Sequence, residues 1–262
     1  MSKRILGLWN MGDGSFHNKL SPKDSKNLIK AAIRDGITSF DTAFSYKEAD
    51  SMLYSALKEA GCQRESIEII SKIMPVPSLE KKAQTVLRRL NTEYIDILLI
   101  HWPSDEEAVY SSLRKLENLR EKGICKSIGV SNFLPKHLKA LLKSAKVVPM
   151  IDQIEFHPGW MQPETVSFCE EHGILVEAWS PLGSGKLLSD PALVALAEKY
   201  NRSAAQICLR WCLQKGKLPL PKSTTPARIE ENLRLFDFQI SKEDSDLIDG
   251  LACVGRTGSD PD

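Results

Sequence analysis

Several side chains that can hold or transfer a proton follow short apolar runs of this 262-residue sequence. Asp41 ends one run and Tyr46 follows in the loop after it, while Lys72 and His101 end the next two runs. On neighbouring strands these side chains would meet at one edge and form a proton-donor site. Lys72 would there favour ionisation of the Tyr46 phenol, whose ordinary pKa is about 10, so that Tyr46 gives up a proton near neutral pH.

Most of these residues, taken singly, have an ordinary structural interpretation. Asp41 suits a helix N-cap, Tyr46 a surface loop, and His101 a core histidine that bonds to the backbone. Lys72 is harder to explain in this way, because an ammonium at a buried strand end needs an anionic partner or loses its charge. Asp41 ends the adjacent predicted strand and can be that partner. The sequence therefore predicts that the four side chains act together.

The strands that would position them are apolar or β-branched runs, which alternate with longer amphipathic runs along the chain. The predicted strands span residues 5–9, 37–41, 67–72, 95–101, 125–131, 150–155, 174–180 and 217–222. The first predicted helix has Ser21 as N-cap and Pro22 at its first position, and it stops at Gly36. The later helices are predicted over residues 49–60, 79–90, 106–122, 135–145, 163–172, 191–200, 203–215, 229–236 and 242–251.

This strand-then-helix rhythm in about 250 residues predicts an α/β fold, a single (β/α)8 TIM barrel over residues 1–262 with a short polar C-terminal tail. A doubly wound sheet is the alternative fold. Against it, neither of the two glycine-containing stretches, at Gly12 and at Gly183, has the spacing of a dinucleotide-binding fingerprint or of a P-loop. In a barrel, chemistry takes place at the carboxyl ends of the strands, which is where the polar residues fall.

Composition excludes several classes of function. Lys plus Arg is 35 and Asp plus Glu is 34, and a net charge of +1 argues against a nucleic-acid binder or a polybasic membrane anchor. No apolar run approaches the about 20 residues of a membrane span, so we expect a cytoplasmic protein. The 6 cysteines form no CxxC pair and are expected to be reduced, and the 5 histidines show no HxH or HExxH pattern, so no metal is expected.

Motifs along nearly the whole chain resemble the aldo-keto reductase superfamily, and their order and spacing make the resemblance specific. They are Phe40-Asp41-Thr42-Ala43 with Tyr46, Ser71-Lys72, Leu99-Ile100-His101-Trp102-Pro103, Ile128-Gly129-Val130-Ser131-Asn132-Phe133, Gln153-Ile154-Glu155-Phe156-His157-Pro158, Ala178-Trp179-Ser180-Pro181-Leu182-Gly183, and Pro221-Lys222-Ser223 with Arg228, Glu231 and Asn232. The tail at 256–262 resembles that of the bacterial diketogluconate reductase branch.

The resemblance implies NADPH-dependent reduction of aldehydes and ketones, with a small carbonyl compound as substrate. It implies a catalytic tetrad of Asp41, Tyr46, Lys72 and His101. It also implies that Ser131, Asn132 and Gln153 hold the nicotinamide amide, that Trp179 stacks on the nicotinamide ring, and that Ser180 and Leu182 line the pyrophosphate. The adenosine 2′-phosphate would lie at Lys222, Ser223 and Arg228, with Glu231 and Asn232 in the same cofactor-binding segment.

Arg228 is also notable from its position alone. Thr224-Thr225-Pro226 introduces a helix that begins near Ala227, so Arg228 would lie close to the positive end of the helix dipole, where an anion is favoured and a cation is not. Pairing with Glu230 or Glu231 would explain it without a ligand. The neighbouring Lys222 and Ser223 favour a phosphate-binding pocket instead.

Some features depart from the family pattern. The chain begins almost at the first predicted strand, so the usual amino-terminal hairpin is expected to be missing. The loop at 10–20 is long, Glu48-Ala49 stands where Asn-Glu is common, and Trp179 stands where many members have Tyr. The segments after Pro103 and Gly185 are brief, which predicts an open pocket for small aldehydes and dicarbonyls and poor activity on steroids.

Two alternative functions remain at this point. A barrel glycosidase would use Glu155 and Glu177 as its carboxylate pair, but it leaves the surroundings of Lys72 unexplained. The second alternative is a nicotinamide-binding regulatory or sensor subunit without significant turnover. Turnover of NADPH with an aldehyde separates an enzyme from such a subunit.

Overall fold

Eight parallel strands lie side by side in chain order in the computed structural model, which describes residues 5–9, 11, 20–252 and 254–261. Gly7 N donates to Pro221 O at 3.3 Å, which brings the first and last strands together and nearly closes the barrel. The strands are β1 (Ile5–Gly7), β2 (Ser39–Asp41), β3 (Glu68–Ile73), β4 (Ile95–Ile100), β5 (Cys125–Ser131), β6 (Ile151–Glu155), β7 (Leu175–Trp179) and β8 (Leu218–Leu220). The predicted (β/α)8 barrel is confirmed.

Helices follow the strands and cover the outside of the barrel, including the additional helix predicted after β7. They are α1 (Pro22–Arg34), α2 (Ala49–Glu59), α3 (Leu79–Leu90), α4 (Glu106–Glu121), α5 (Pro135–Leu142), α6 (Pro163–Glu171), α7 (Pro191–Tyr200), α8 (Ala204–Gln214), α9 (Pro226–Leu233) and α10 (Lys242–Asp249). The predicted start of α1 is confirmed, because the Ser21 side chain accepts from Asp24 N. Gly36, just after α1, has a φ of 89°, a value that favours glycine.

Boundaries near the end of the barrel differ from the prediction. β8 is shorter than residues 217–222, since Pro219 within it and Pro221 after it have no N–H to donate to a ladder. Helix α9 spans Pro226–Leu233, so the prediction of residues 229–236 placed it too late, whereas the proline signal placed its start near Ala227, within one residue. It begins early because Pro226 has a φ suited to the first helical position, and it ends where Arg234 leaves helical geometry at φ −85° and ψ 64°.

Two layers of buried side chains inside the barrel are relevant to the site. One is apolar and consists of Ile70, Ile97, Leu99 and Ile151. Gly129 lets β5 approach this layer, because a Cβ there would lie 2.6 Å from Leu99 Cδ2 and 2.8 Å from Ile151 O. The other layer is polar and contains the buried side chains of Asp41, Lys72, Gln153 and Glu177. The candidate site lies on this polar layer.

Some predictions concern residues outside the described ranges. Asn10 and residues 12–19 lie there, so the contribution of the loop at 10–20 stays untested, and Cys253 lies there as well. The other cysteines have free thiols: Cys62, Cys125, Cys169, Cys208 and Cys212. No helix in the described part of the chain combines the length and hydropathy that crossing a bilayer requires.

Candidate active site

A buried ion pair joins the ends of β2 and β3. Lys72 Nζ donates to Asp41 Oδ1 at 2.5 Å and to the carbonyl of Thr42 at 2.9 Å. Burial is the largest single effect and would lower the pKa of Lys72, but the charge and hydrogen bond of Asp41, together with the smaller effects of Tyr46 and Glu177, outweigh it, so the pKa is raised and the ammonium stays charged. Lys72 therefore has the anionic partner that the sequence predicts for it.

Tyr46 lies beside this pair on a short 3₁₀ turn, Phe44–Tyr46. Lys72 Nζ is 5.2 Å from the centre of the Tyr46 ring. His101, directly after β4, meets the same ring edge-on with the ring centres 6.1 Å apart. The structure thus brings Asp41, Tyr46, Lys72 and His101 together at the carboxyl ends of three consecutive strands.

The turn that carries Tyr46 is fixed by residues that the sequence analysis did not identify. Arg89 from α3 donates to the Phe44 carbonyl at 3.1 Å, and its guanidinium lies 3.6 Å from Asp50 Oδ2. Asp50 Oδ1 accepts from the Thr42 hydroxyl at 2.7 Å. Burial raises the pKa of Asp50 to about 6. Arg89 and Asp50 therefore connect the turn of Tyr46 to the residue whose carbonyl holds Lys72.

The pKa of Tyr46 corrects one expectation. Lys72 does favour the phenolate, but burial has the larger effect and the charge of Asp41 adds to it, so the pKa of Tyr46 is raised above its ordinary value. The phenol consequently keeps its proton across the neutral range and is available as a proton donor. Burial, with a contribution from Lys72, lowers the pKa of His101 to about 3, so His101 is a neutral imidazole.

Ser131, Asn132 and Trp179 form one hydrogen-bonded group next to His101. Asn132 Nδ2 donates to the His101 carbonyl at 3.1 Å and to Ser131 Oγ at 3.0 Å, and its Oδ1 accepts from Trp179 Nε1 at 2.8 Å. Ser131 Oγ donates to the carbonyl of Gln153 at 2.9 Å. These bonds fix the indole plane of Trp179. They also occupy both N–H groups of Asn132, so a ligand that needs a donor from Asn132 must replace one of them.

The C-terminal tail forms part of the wall of the site. Thr257 N donates to Glu155 Oε1 at 2.6 Å, and Gly258 N donates to Glu155 Oε2 at 3.3 Å. Gly258 packs on the indole of Trp179, since a Cβ there would lie 2.3 Å from ring atom Cη2. The tail was recognised in the sequence only as a family resemblance. Its glycine beside a threonine is too weak a pattern to predict this contact.

Ser180 and Leu182 lie in the segment that follows β7. Ser180 Oγ is 3.1 Å from Thr257 Oγ1 and also 3.1 Å from Ser184 Oγ, and it accepts from Ser184 N. Leu182 precedes the 3₁₀ segment Gly183–Ser189 and packs on the core. Ser180 therefore contacts the tail, and Leu182 follows it in the same segment after β7.

Of the predicted phosphate residues, Lys222 and Ser223 lie between β8 and α9, and Arg228 lies in the first turn of α9. Ser223 Oγ accepts from Thr225 N at 3.0 Å, and Lys222 Nζ is 5.1 Å from the centre of the Trp9 ring. Arg228 is exposed, and its guanidinium has no partner within the described ranges. Within the described ranges Arg228 pairs with neither Glu230 nor Glu231, and Glu230 pairs with Arg234 instead.

Glu231 and Asn232, the other two residues of the predicted cofactor segment, lie one turn further along α9. Glu231 is half-buried, and its carbonyl accepts from Gln206 Nε2 at 3.0 Å. Asn232 is buried. The structure places both on the helix that carries Arg228.

Glu155 and Glu177, the carboxylate pair of the glycosidase alternative, are each bonded to other parts of the protein. The carboxylate of Glu155 accepts three hydrogen bonds from Thr257 and Gly258, and Glu177 accepts from Gln153 inside the barrel. Both carboxylates are thus engaged with neighbouring parts of the protein. No group of three or more His, Cys, Asp or Glu side chains that could hold a metal ion occurs among the residues whose positions are described.

Known proteins of one family are similar to this chain. The family model described as "Aldo/keto reductase family" matches residues 4–252. Glyoxal reductase of Bacillus subtilis (strain 168) is 43% identical over 247 residues, covering 91% of this chain and 87% of that protein. Methylglyoxal reductase DkgA of Yersinia pestis is 36% identical over 262 residues, covering 98% and 91%. The crystal structure of an aldo/keto reductase from Brucella melitensis is 37% identical with a TM-score of 0.86, covering 94% of this chain and 93% of that one.

Proposed function

The chain belongs to the aldo/keto reductase family, and from this premise we propose that it reduces small aldehydes and ketones to alcohols with NADPH, using Tyr46 as proton donor. The observation that carries the proposal is the buried pair of Lys72 and Asp41 beside Tyr46 and His101. A charged ammonium next to a protonated phenol and a neutral imidazole is suited to stabilising negative charge on a carbonyl oxygen.

Bound NADPH would supply a hydride to the carbonyl carbon of the substrate. The chain's own residues act on the carbonyl oxygen. The Tyr46 hydroxyl donates its proton to that oxygen, and a neutral His101 ring donates a hydrogen bond that orients it. Lys72 stabilises the phenolate left on Tyr46, while Asp41 and the Thr42 carbonyl hold the ammonium in place.

The residues present fit a nicotinamide dinucleotide carrying an extra phosphate. Trp179 is half-buried and held in one plane by Asn132, which provides a flat surface for an aromatic ring. Arg228 is a cation in the first turn of α9, where the helix dipole also favours an anion, and Lys222 adds a second cation in the segment that leads into this helix. Because Arg228 has no carboxylate partner in the described part of the chain, its charge is available to a phosphate.

We expect Arg228→Ala to weaken NADPH binding by roughly ten-fold to 150-fold, since a charge-assisted hydrogen bond contributes about 1.5 to 3 kcal/mol. NADH lacks the 2′-phosphate and should be affected far less. Fluorescence titration gives both dissociation constants. Arg234→Ala is the matched control, because Arg234 lies just after the same helix and is already paired with Glu230. An equal loss of affinity for NADPH and NADH would mean that Arg228 does not bind the 2′-phosphate.

The substrates we propose are small aldehydes and dicarbonyls, in line with the names of the glyoxal and methylglyoxal reductases among the relatives. The short segment before α4 supports this, since its N-cap Asp105 comes soon after Pro103 and leaves little chain for a lid. A panel containing glyoxal, methylglyoxal, longer aldehydes and steroid ketones tests it through NADPH oxidation. We expect the highest kcat/KM for the small dicarbonyls; a strong steroid preference would contradict the proposal. Tight NADPH binding without turnover on any carbonyl would favour a sensor.

A further inference from the structure

Glu177 is a fully buried carboxyl group in the middle of β7 that the proposed reaction does not use. In the strand ladder it is paired with Gln153 of β6, and its side chain points to the polar layer of the barrel. Its Oε2 accepts from Gln153 Nε2 at 2.6 Å, whereas its buried Oε1 has no hydrogen-bond partner. A buried carboxyl group with only one of its two oxygens hydrogen-bonded lowers the stability of the fold, so its presence in the site needs a physical reason.

The reason lies in the orientation of the Gln153 side chain. Gln153 Nε2 donates to Asp41 Oδ2 at 2.8 Å and to Glu177 Oε2 at 2.6 Å. An amide nitrogen has two hydrogens, and two carboxyl oxygens that accept them leave none for any other acceptor. The side-chain oxygen Oε1 of Gln153 must therefore point away from Asp41 and Glu177. The hydrogen bonds of this side chain to Asp41 and Glu177 both use Nε2 and leave Oε1 to face elsewhere.

Protonation of Glu177 is compatible with this hydrogen bond, because Asp41 already holds Nε2 of Gln153 on this side and a neutral carboxyl still has an oxygen that can accept. Burial and the charge of Asp41 raise the pKa of Glu177 to about 8, against smaller opposing effects of Gln153 and Lys72. Near neutral pH the carboxyl therefore holds a proton, which one oxygen can carry while the other accepts from Gln153. Glu177 thus avoids placing a second negative charge next to Asp41 and still acts as an acceptor.

We propose that Glu177 is a positioning residue that orients the Gln153 amide, so that Gln153 presents only its carbonyl oxygen to the nicotinamide and accepts a hydrogen bond from the carboxamide N–H. The inference rests on the proposed function, because it requires a nicotinamide in the site. Without Glu177 only Asp41 restrains the amide, and Gln153 can turn an N–H towards the ligand.

A cofactor analogue makes this orientation measurable. The 3-acetylpyridine analogue of NADP+ has an acetyl group in place of the carboxamide, so it can accept a hydrogen bond there but cannot donate one. With wild-type protein we expect it to bind about ten-fold more weakly than NADP+, the loss of one hydrogen bond. In Glu177→Met and Glu177→Leu that ratio should fall towards one, because a turned Gln153 amide can donate to the acetyl oxygen.

The control variant is Glu177→Gln, which keeps an acceptor oxygen of the same size and removes the ionisation. It should retain the wild-type ratio of the two dissociation constants. Circular dichroism and Tm establish that each variant is folded, and the two apolar variants serve as replicates of each other. A ratio unchanged in Glu177→Met or Glu177→Leu overturns the inference, as does a ratio lost in Glu177→Gln. Failure of wild-type protein to bind NADP+ would instead refute the proposed function.

Discussion

Replacing Tyr46 with Phe should lower kcat for aldehyde reduction by a factor of about 10² or more, with little change in NADPH binding. The substitution removes only the hydroxyl that is proposed to protonate the carbonyl oxygen. The ring still faces His101 and still packs on the core, and Arg89 still holds the turn through the Phe44 carbonyl. Steady-state kinetics with methylglyoxal, together with fluorescence titration of NADPH, measure the two effects separately.

Tyr110→Phe is a matched control for this prediction. The Tyr110 hydroxyl donates to the Ala140 carbonyl at 3.0 Å, and both residues lie on helices outside the barrel. Its loss should reduce the free energy of unfolding by about 1 kcal/mol and leave kcat unchanged. If Tyr46→Phe kept a kcat near that of the wild type, Tyr46 would not be the proton donor.

Much of the fold could be predicted from the sequence, because parallel strands buried on both faces read as continuous apolar runs. Strand β5 and helices α3 and α7 have the predicted bounds. The errors arise where backbone chemistry outweighs the hydrophobic pattern. Pro226 starts α9 three residues before Ile229, where the predicted range began, and prolines shorten β8.

The ion pair of the site was predictable from the sequence, because it follows from the chemistry of neighbouring strand ends. A lysine at a buried strand end needs a carboxylate, and the adjacent strand has one in Asp41. The direction of the Tyr46 pKa was not predictable, because it depends on how far burial outweighs Lys72, and burial comes from the whole barrel. The bond from Thr257 to Glu155 was equally hidden, since it joins residues 102 positions apart through one weak pattern in the tail.

Lys72→Met should also lower kcat by about 10² or more, because it removes the positive charge that stabilises the transition state and the phenolate. The pH profile should change in a definite direction. Lys72 lowers the pKa of Tyr46, so its removal raises that pKa further. The alkaline limb of kcat, on which the phenol loses its proton, should therefore move to higher pH. A limb at the wild-type position would show that Lys72 does not act on Tyr46.

The same substitution also affects the fold, and a double variant separates the two effects. Asp41 is buried, so removal of its partner is expected to lower the free energy of unfolding by about 3 to 5 kcal/mol. Protonation of Asp41 would make this loss smaller. Asp41→Asn combined with Lys72→Met leaves no charge stranded, and an amide oxygen can still accept from Gln153 Nε2. Denaturant unfolding should then show recovered stability, while kcat stays low because the ammonium is still absent. Recovery of kcat together with stability would mean that Lys72 serves only to neutralise Asp41 and takes no part in the reduction.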